Sequence, residues 1–277
     1  MSKIKSKGKE APYKASFIEQ IKAFDLLEPL SGEIGTRFRI PPETGKLEEV
    51  DVFKSMTWDG IWIYTNPDKD RMCTLYQACH DNMKYIPPRC LECWKVVVRP
   101  INLLQLFMLY DLQLKMIEED PDCWCKCGVE IREYVHANYG GYFYNNSKED
   151  GLVKYKLVRK LVDEQISSDV KVILKRGCTE FEINQGPSDK WDEKFAGNKQ
   201  AQAWEGLIAE HVVVTNGGYK QSDLVKKHIM SKWIDFAWDR GDPTVIGLND
   251  GKPLFPPPVT YHQTIKEGVK TNGKKSK

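Results

Sequence analysis

The chain has 277 residues, 41% hydrophobic and 29% charged, with a net charge of +2. This is the make-up of an ordinary soluble globular protein, long enough for about two domains. It excludes collagen, coiled coil and wholesale disorder, and no run approaches the roughly 18 apolar residues that a membrane helix needs.

The charge sits at the ends. Residues 1–10 carry +3 and residues 264–277 carry +4, which leaves −5 for the body. Residues 1–12 and 264–277 read as disordered basic tails. The opening MSKIKSKGKE lacks the apolar core of a secretory signal, so a cytoplasmic location is expected.

Residues 13–89 read as an N-terminal α/β extension. Ser16 and Glu19 fit a capping box ahead of an apolar face of Phe17, Ile18, Ile21 and Phe24. A helix is expected over 16–28, stopped by Pro29. GIWIYTN (60–66) is a strand closed by an Asn-Pro turn signal. Residues 67–89 are mixed in character and end in the stiff IPPRC.

Eight cysteines stand at 73, 79, 90, 93, 123, 125, 127 and 178. Five fall in two tight clusters, CLEC (Cys90, Cys93) and CWCKCG (Cys123, Cys125, Cys127). A Cys-x-x-Cys turn brings two thiolates to one tetrahedral ion, and a second cluster completes four ligands. A Cys-x-Cys pair in extended backbone points both sulfurs to one side. The expected cofactor is therefore a structural zinc on Cys90, Cys93, Cys125 and Cys127, with Cys123 in reserve. The alternatives are buried free thiols, an iron–sulfur cluster or a redox dithiol. Cys73, Cys79 and Cys178 read as small core residues, and His80 as a structural histidine.

Residues 90–185 form the clearest unit. WKVVVRP (94–100) is a strand closed by proline. Asn102 caps a deeply apolar helix over 102–119, with Leu103, Leu106, Phe107, Tyr110, Leu114 and Ile117 on one face. VEIREYVH (129–136) alternates as a strand, NYGG (138–141) turns, and GYFYN (141–145) returns. Ser147 with Asp150 starts a helix to about 166, and VKVILKR (170–176) is the last strand. The order β-α-β-β-α-β is the split pattern of ferredoxin-like domains. The expected fold class is thus α+β: a ferredoxin-like core with the zinc site at one end of its sheet. In that topology the first two strands run parallel, which places the two cysteine clusters at the same end.

Residues 186–263 read as a mostly helical C-terminal region, with helices over about 189–209 and 223–239, a short strand in EHVVVTNGGYK, and a rigid PLFPPPVTYH tail.

Strand alternation sorts the side chains onto two faces. One collects Val96, Val98, Val129, Ile131, Val135, Phe143, Val172 and Leu174, the side expected to pack under helices. The other collects Lys95, Arg99, Arg132, Tyr134, His136, Tyr142, Tyr144, Lys171 and Lys175, diluted by Glu130 and Ile173. Cations interleaved with rings on a sheet suit single-stranded nucleic acid, since rings stack on bases and cations hold phosphates. The competing expectation is that the flanking regions cover this face.

Catalytic patterns are sparse. No phosphate-binding loop, dinucleotide fingerprint, nucleophile elbow or His-Glu-x-x-His motif occurs. PPRCLEC lacks the His-x-Glu partner of a zinc deaminase. Glu180 and Glu182 would share a face and bind magnesium if the last strand continued through them. The expected function is an intracellular zinc-stabilised protein that binds single-stranded nucleic acid or a nucleoprotein partner. The nucleic-acid contacts would be Lys95, Arg99, Arg132, Tyr134, Tyr142, Tyr144, Lys171 and Lys175. The alternatives are a metal-dependent nuclease using Glu180 and Glu182, and an assembly subunit that docks through its proline-rich end and tails.

Overall fold

The computed structural model describes residues 30, 32, 34–35, 38–43, 46–49, 60–66, 73–213, 221–248, 250 and 252. The helix expected over 16–28, both tails and the PLFPPPVTYH segment lie outside them, apart from Lys252 just ahead of it. In chain order the elements are β1 (Phe38–Arg39), β2 (Leu47–Glu49), β3 (Trp62–Asn66), α1 (Cys73–Met83), α2 (Pro88–Leu91), β4 (Trp94–Arg99), α3 (Leu103–Glu119), β5 (Cys125–Val129), β6 (Tyr139–Asn145), α4 (Lys148–Gln165), β7 (Lys171–Arg176), α5 (Thr179–Gln185), a 3-10 turn (Ser188–Lys190), α6 (Trp191–Phe195), α7 (Lys199–His211), β8 (Val212–Val213), α8 (Asp223–Asp239) and α9 (Thr244–Leu248).

The fold is mixed α+β around a five-stranded sheet in the order β3-β5-β6-β4-β7, antiparallel at every pairing. Strands β4 and β5 run in the same direction with β6 between them. A second, three-stranded sheet has the order β1-β2-β8.

Local chemistry accounts for the central elements. Three successive valines stiffen β4 and suit a strand buried on both sides. The Asn102 side chain accepts from the Gln105 N–H and opens α3. Ser147 does the same for Asp150 at α4, with Glu149 and Asp150 in its first turn. Ser222 accepts from the Val225 N–H at α8. Each such cap satisfies a donor the helix leaves open and contributes about 1 kcal/mol. Asp242 reinforces α3 from afar: its carboxylate accepts from the Leu103 N–H at 2.7 Å and from the Tyr139 hydroxyl at 2.6 Å.

Helices α3, α4 and α8 cover one face of the large sheet. Ile63, Val96, Val98, Cys125, Cys127, Val129, Phe143 and Val172 meet Leu106, Leu109, Val158, Ile229 and Trp233 in one core. Trp233 is fully buried, and its indole N–H donates to the Ile61 carbonyl at 2.8 Å. Smaller cores lie under α1 and α7 around Phe38, Leu47 and Leu75, and under α5 and α6 around Phe181 and Trp191.

Three sequence expectations shift. The second strand of the unit is Cys125–Val129, not 129–136. The Glu130 N–H still donates to the Asn138 carbonyl at 2.8 Å, but residues 131–137 between them lie outside the ladder, and Arg132 pairs with Glu130 at 2.5 Å. The Val135 N–H then turns back to the Arg132 carbonyl. Ile131, expected in the core, is 61% exposed. Residues 73–83, read as mixed, form helix α1. The helix expected over 189–209 is interrupted between α6 and α7.

Candidate functional site

The pleat separates two chemistries across the large sheet. Opposite the helix-covered face stand Trp62 and Tyr64 of β3, Lys126 of β5, Tyr142 and Tyr144 of β6, Lys95 and Arg99 of β4, and Lys171 and Lys175 of β7. Their grouping follows from period-two alternation and the strand registers, which set Lys126 against Tyr142, and Lys95 against both Tyr144 and Lys175.

Lys126 is the centre of this face. Its ammonium lies 4.7 Å from the Trp62 ring, 5.2 Å from Tyr64 and 5.6 Å from Tyr142. Trp62 meets Tyr142 edge-on at 5.5 Å, and Tyr142 stacks on Tyr144 at 6.5 Å. Burial disfavours the charge of Lys126, but the Tyr144 and Tyr64 oxygens favour it and hold its pKa above the usual value. Trp62, Tyr64, Tyr144 and Lys126 are partly exposed, and Lys171 is exposed.

Tyr142 is placed differently, with 7% of its surface exposed. Its hydroxyl accepts from Arg99 at 3.2 Å and Arg132 at 3.1 Å, and donates to Glu130 at 3.2 Å. Glu130 is itself buried. Burial resists its ionisation, but the hydrogen bonds and charge of Arg132 outweigh that and keep its carboxyl below the usual range. Arg132 also reaches Glu180 at 2.8 Å, as does the Tyr134 hydroxyl. Lys175 pairs with Glu182 of α5. Burial and repulsion from Lys95 bring its pKa down to about 8 despite the pull of Cys178. Arg132, His136 and Arg240 line an open depression of about 580 Å³ beside this network.

The eight expected nucleic-acid contacts therefore fall in one region, in three conditions. Lys171 and Tyr144 offer accessible surface. Arg99, Arg132, Tyr134 and Lys175 are engaged with internal partners. Lys95 and Tyr142 are buried. Trp62, Tyr64 and Lys126 were not expected here. The alternation of Trp62 and Tyr64 was legible, but their pairing with β5 is a long-range contact, and Lys126 was hidden inside a cysteine motif.

The four expected zinc ligands are not brought together. Because β5 begins at Cys125, Cys125 and Cys127 point into the helix-covered core. Cys90 packs instead against the Phe181–Trp191 cluster, as does Cys178. The Lys95 ammonium donates to the Cys178 sulfur at 3.2 Å. Burial, and then the Cys178, Cys93 and Cys73 thiolates, push the Cys90 thiol well above its usual value, with Lys95 opposing. For Lys95, burial disfavours the charge, but Cys178, Cys93, Tyr144 and Cys73 outweigh it and hold its pKa well above the usual value. As placed, no three His, Cys, Asp or Glu among the described residues are gathered closely enough to hold a metal ion. Cys123, the reserve ligand, has its pKa lowered by a hydrogen bond from Cys125, against burial and with help from Lys154.

Glu180 and Glu182 lie on helix α5 rather than on a continued strand. Residues two apart on a helix do not face one another, and the two carboxylates take different partners: Arg132 and Tyr134 for one, Lys175 and Ser188 for the other. His80 is fully buried against the Phe181 ring, 4.3 Å between centroids.

Comparison with protein-family models, with curated proteins and with solved structures found no match. Among the described residues no helix is long and apolar enough to cross a membrane.

Proposed function

We propose that this chain is a binding protein that holds single-stranded nucleic acid against the sheet face opposite helices α3, α4 and α8. We also read its β4-α3-β5-β6-α4-β7 order as a ferredoxin-like core extended by β3. The observation that carries the functional reading is the Lys126 platform: one ammonium ringed by Trp62, Tyr64 and Tyr142 at 4.7–5.6 Å, with Tyr144 stacked on Tyr142 and Lys171 on the edge strand β7 of the same face. Flat π-faces accept any base, and cations set among them take the phosphates, which is the chemistry of sequence-tolerant single-strand binding. Carboxylates on this side are matched by cations. Glu130 and Glu180 meet Arg132, and Glu182 meets Lys175. Among the described residues of this face, Lys171 is an exposed charge and Lys126 a partly exposed one.

The reading is tested with labelled single-stranded DNA and RNA oligonucleotides in fluorescence anisotropy, titrated at several salt concentrations. Trp62→Ala should weaken binding by about 1–3 kcal/mol through loss of one stacking ring. Lys171→Ala should leave folding intact and flatten the salt dependence by about 0.7 for a single strand. Affinity unaffected by both substitutions, or independent of salt, refutes the assignment.

A further inference from the structure

We propose that Cys90, Cys93 and Cys178, with Cys73 as the fourth ligand, form a structural zinc site at the β4–β7 edge, and that Lys95 is its buried counter-cation. This ligand set differs from the one the sequence spacing implied, and it does not depend on the nucleic-acid reading.

The backbone supplies the first argument. Cys90 lies in α2, and the Cys93 N–H donates back to the Cys90 carbonyl at 3.3 Å, which closes the Cys-x-x-Cys turn. Strands β4 and β7 pair Trp94 with Arg176, and one residue further the Gly177 N–H donates to the Cys93 carbonyl at 2.7 Å. Gly177 has φ +61°, and a Cβ on it would stand 3.7 Å from the Cys90 carbonyl oxygen and 2.5 Å from the Trp191 ring. The chain thus turns beside both cysteines of the CLEC pair, and its next residue is Cys178. Zinc–sulfur bonds of about 2.3 Å let ligands from adjoining segments about 4.8 Å apart share one ion. Since the sulfurs are not gathered in the structure as it stands, the site closes by thiol rotation about this backbone while the Lys95 ammonium withdraws from Cys178.

Charge supplies the second. A buried ammonium requires an anionic partner. Among the described residues, the carboxylates on this side of the sheet are engaged elsewhere: Glu130 with Arg132, Glu180 with Arg132, and Glu182 with Lys175. Lys95 instead donates to a sulfur. Four thiolates around a divalent zinc carry a net charge of −2, which gives Lys95 the anion that its burial requires.

Cys73 completes the set of four. It opens helix α1, where a thiolate is favoured. Cys79 of the same helix is enclosed in the core under α1 and α7, whereas Cys73 is exposed and lies outside that core. By contrast Cys125 and Cys127 are buried in the helix-covered core on the other face of the sheet.

The test uses the full chain, purified under reducing conditions with zinc supplied, and elemental analysis. The expectation is about one zinc per chain, as for a four-coordinate structural site. Cys178→Ser and Cys73→Ser should lose it, whereas Cys125→Ser and Cys127→Ser should keep it. Alkylation of the unmutated native chain, mapped by mass spectrometry, gives a readout that does not depend on variants folding. Cys73, Cys90, Cys93 and Cys178 should be protected by zinc and become labelled when a chelator is added. Absence of zinc, its retention in Cys178→Ser, its loss from Cys127→Ser with no change in labelling of the four, or a disulfide among the four in the reduced chain each overturns the proposal.

Discussion

The two faces of the central sheet are built on opposite principles. Under helices α3, α4 and α8 the strands present valine, isoleucine, phenylalanine and cysteine, and the helices answer with leucine, valine and Trp233. Cohesion there comes from apolar surface removed from water at about 25 cal/mol per Å². On the other face Arg99, Arg132, Glu130 and Tyr142 form a connected polar network, and Lys126 sits among rings. Cohesion there depends on every buried polar group having a partner. The first face tolerates volume-conserving change; the second fails when one member of the network is removed. The first therefore serves as scaffold, while the second holds charged and aromatic side chains in fixed positions.

The largest expected effect is on the scaffold side. Trp233→Ala removes a fully buried ring and its hydrogen bond to Ile61, and should cost about 3–5 kcal/mol. Denaturant melts will measure it, and a loss below 1 kcal/mol, well short of the cavity cost, would mean that α8 is not part of the same cooperative core.

Glu130→Gln should cost about 1–3 kcal/mol, because Arg132 and Tyr142 lose a charged acceptor in a buried network. Its pH signature is specific. Glu130 has a lowered pKa in the fold, so its stabilisation is complete above the unfolded glutamate value of about 4.3 and is lost as pH falls towards the folded value. Melts of the variant should show a shallower acid limb than the unmutated chain.

The scaffold side should respond at the other end of the scale. Burial, against a hydrogen bond from Thr65, raises the Cys127 thiol above its usual value. The native state then keeps a proton that the unfolded chain releases above about 8.5, so stability falls as pH rises beyond that point. Cys127→Ala should flatten this alkaline limb and leave the acid limb alone. If both variants flatten the same limb, the two faces are not electrostatically separate.

A further substitution tests the junction of β3 with β5. A Cβ on Gly128 would meet the Ile61 carbonyl at 2.3 Å, and a backbone atom cannot rotate away. Gly128→Ala should cost about 1–3 kcal/mol through displacement of β3. Because β3 carries Trp62 and Tyr64, the same variant should weaken oligonucleotide binding by more than its stability loss implies. Unchanged binding would exclude β3 from the platform.

Several of these features were legible in the residues themselves. The caps Asn102, Ser147 and Ser222, the valine run of β4 and the apolar stripe of α3 are local signals, and the elements they mark stand where the pattern puts them. The segment 129–136 misled because VEIREYVH alternates as a strand does. In the fold Arg132 instead pairs with Glu130 and reaches across to Tyr142 and Glu180 from a loop. That four-residue displacement moved Cys125 and Cys127 from the end of the sheet into its interior, and it separated them from Cys90.

The sequence by itself determined the mixed α+β character, the order of the central strands and helices, and which positions of β4, β6 and β7 share a face. Capping, period-two alternation and apolar periodicity act within a few residues, so they can be read without the fold. Tertiary structure alone decided that β3 joins the sheet beside β5, that Lys126 lies among Trp62, Tyr64 and Tyr142, and that Cys178 lies beside Lys95. The β3–β5 contacts join residues about 60 positions apart and the Lys95–Cys178 contact spans 83, while Lys126 meets Tyr142 across 16. Their energies reside in neighbours that the chain meets only after it has folded.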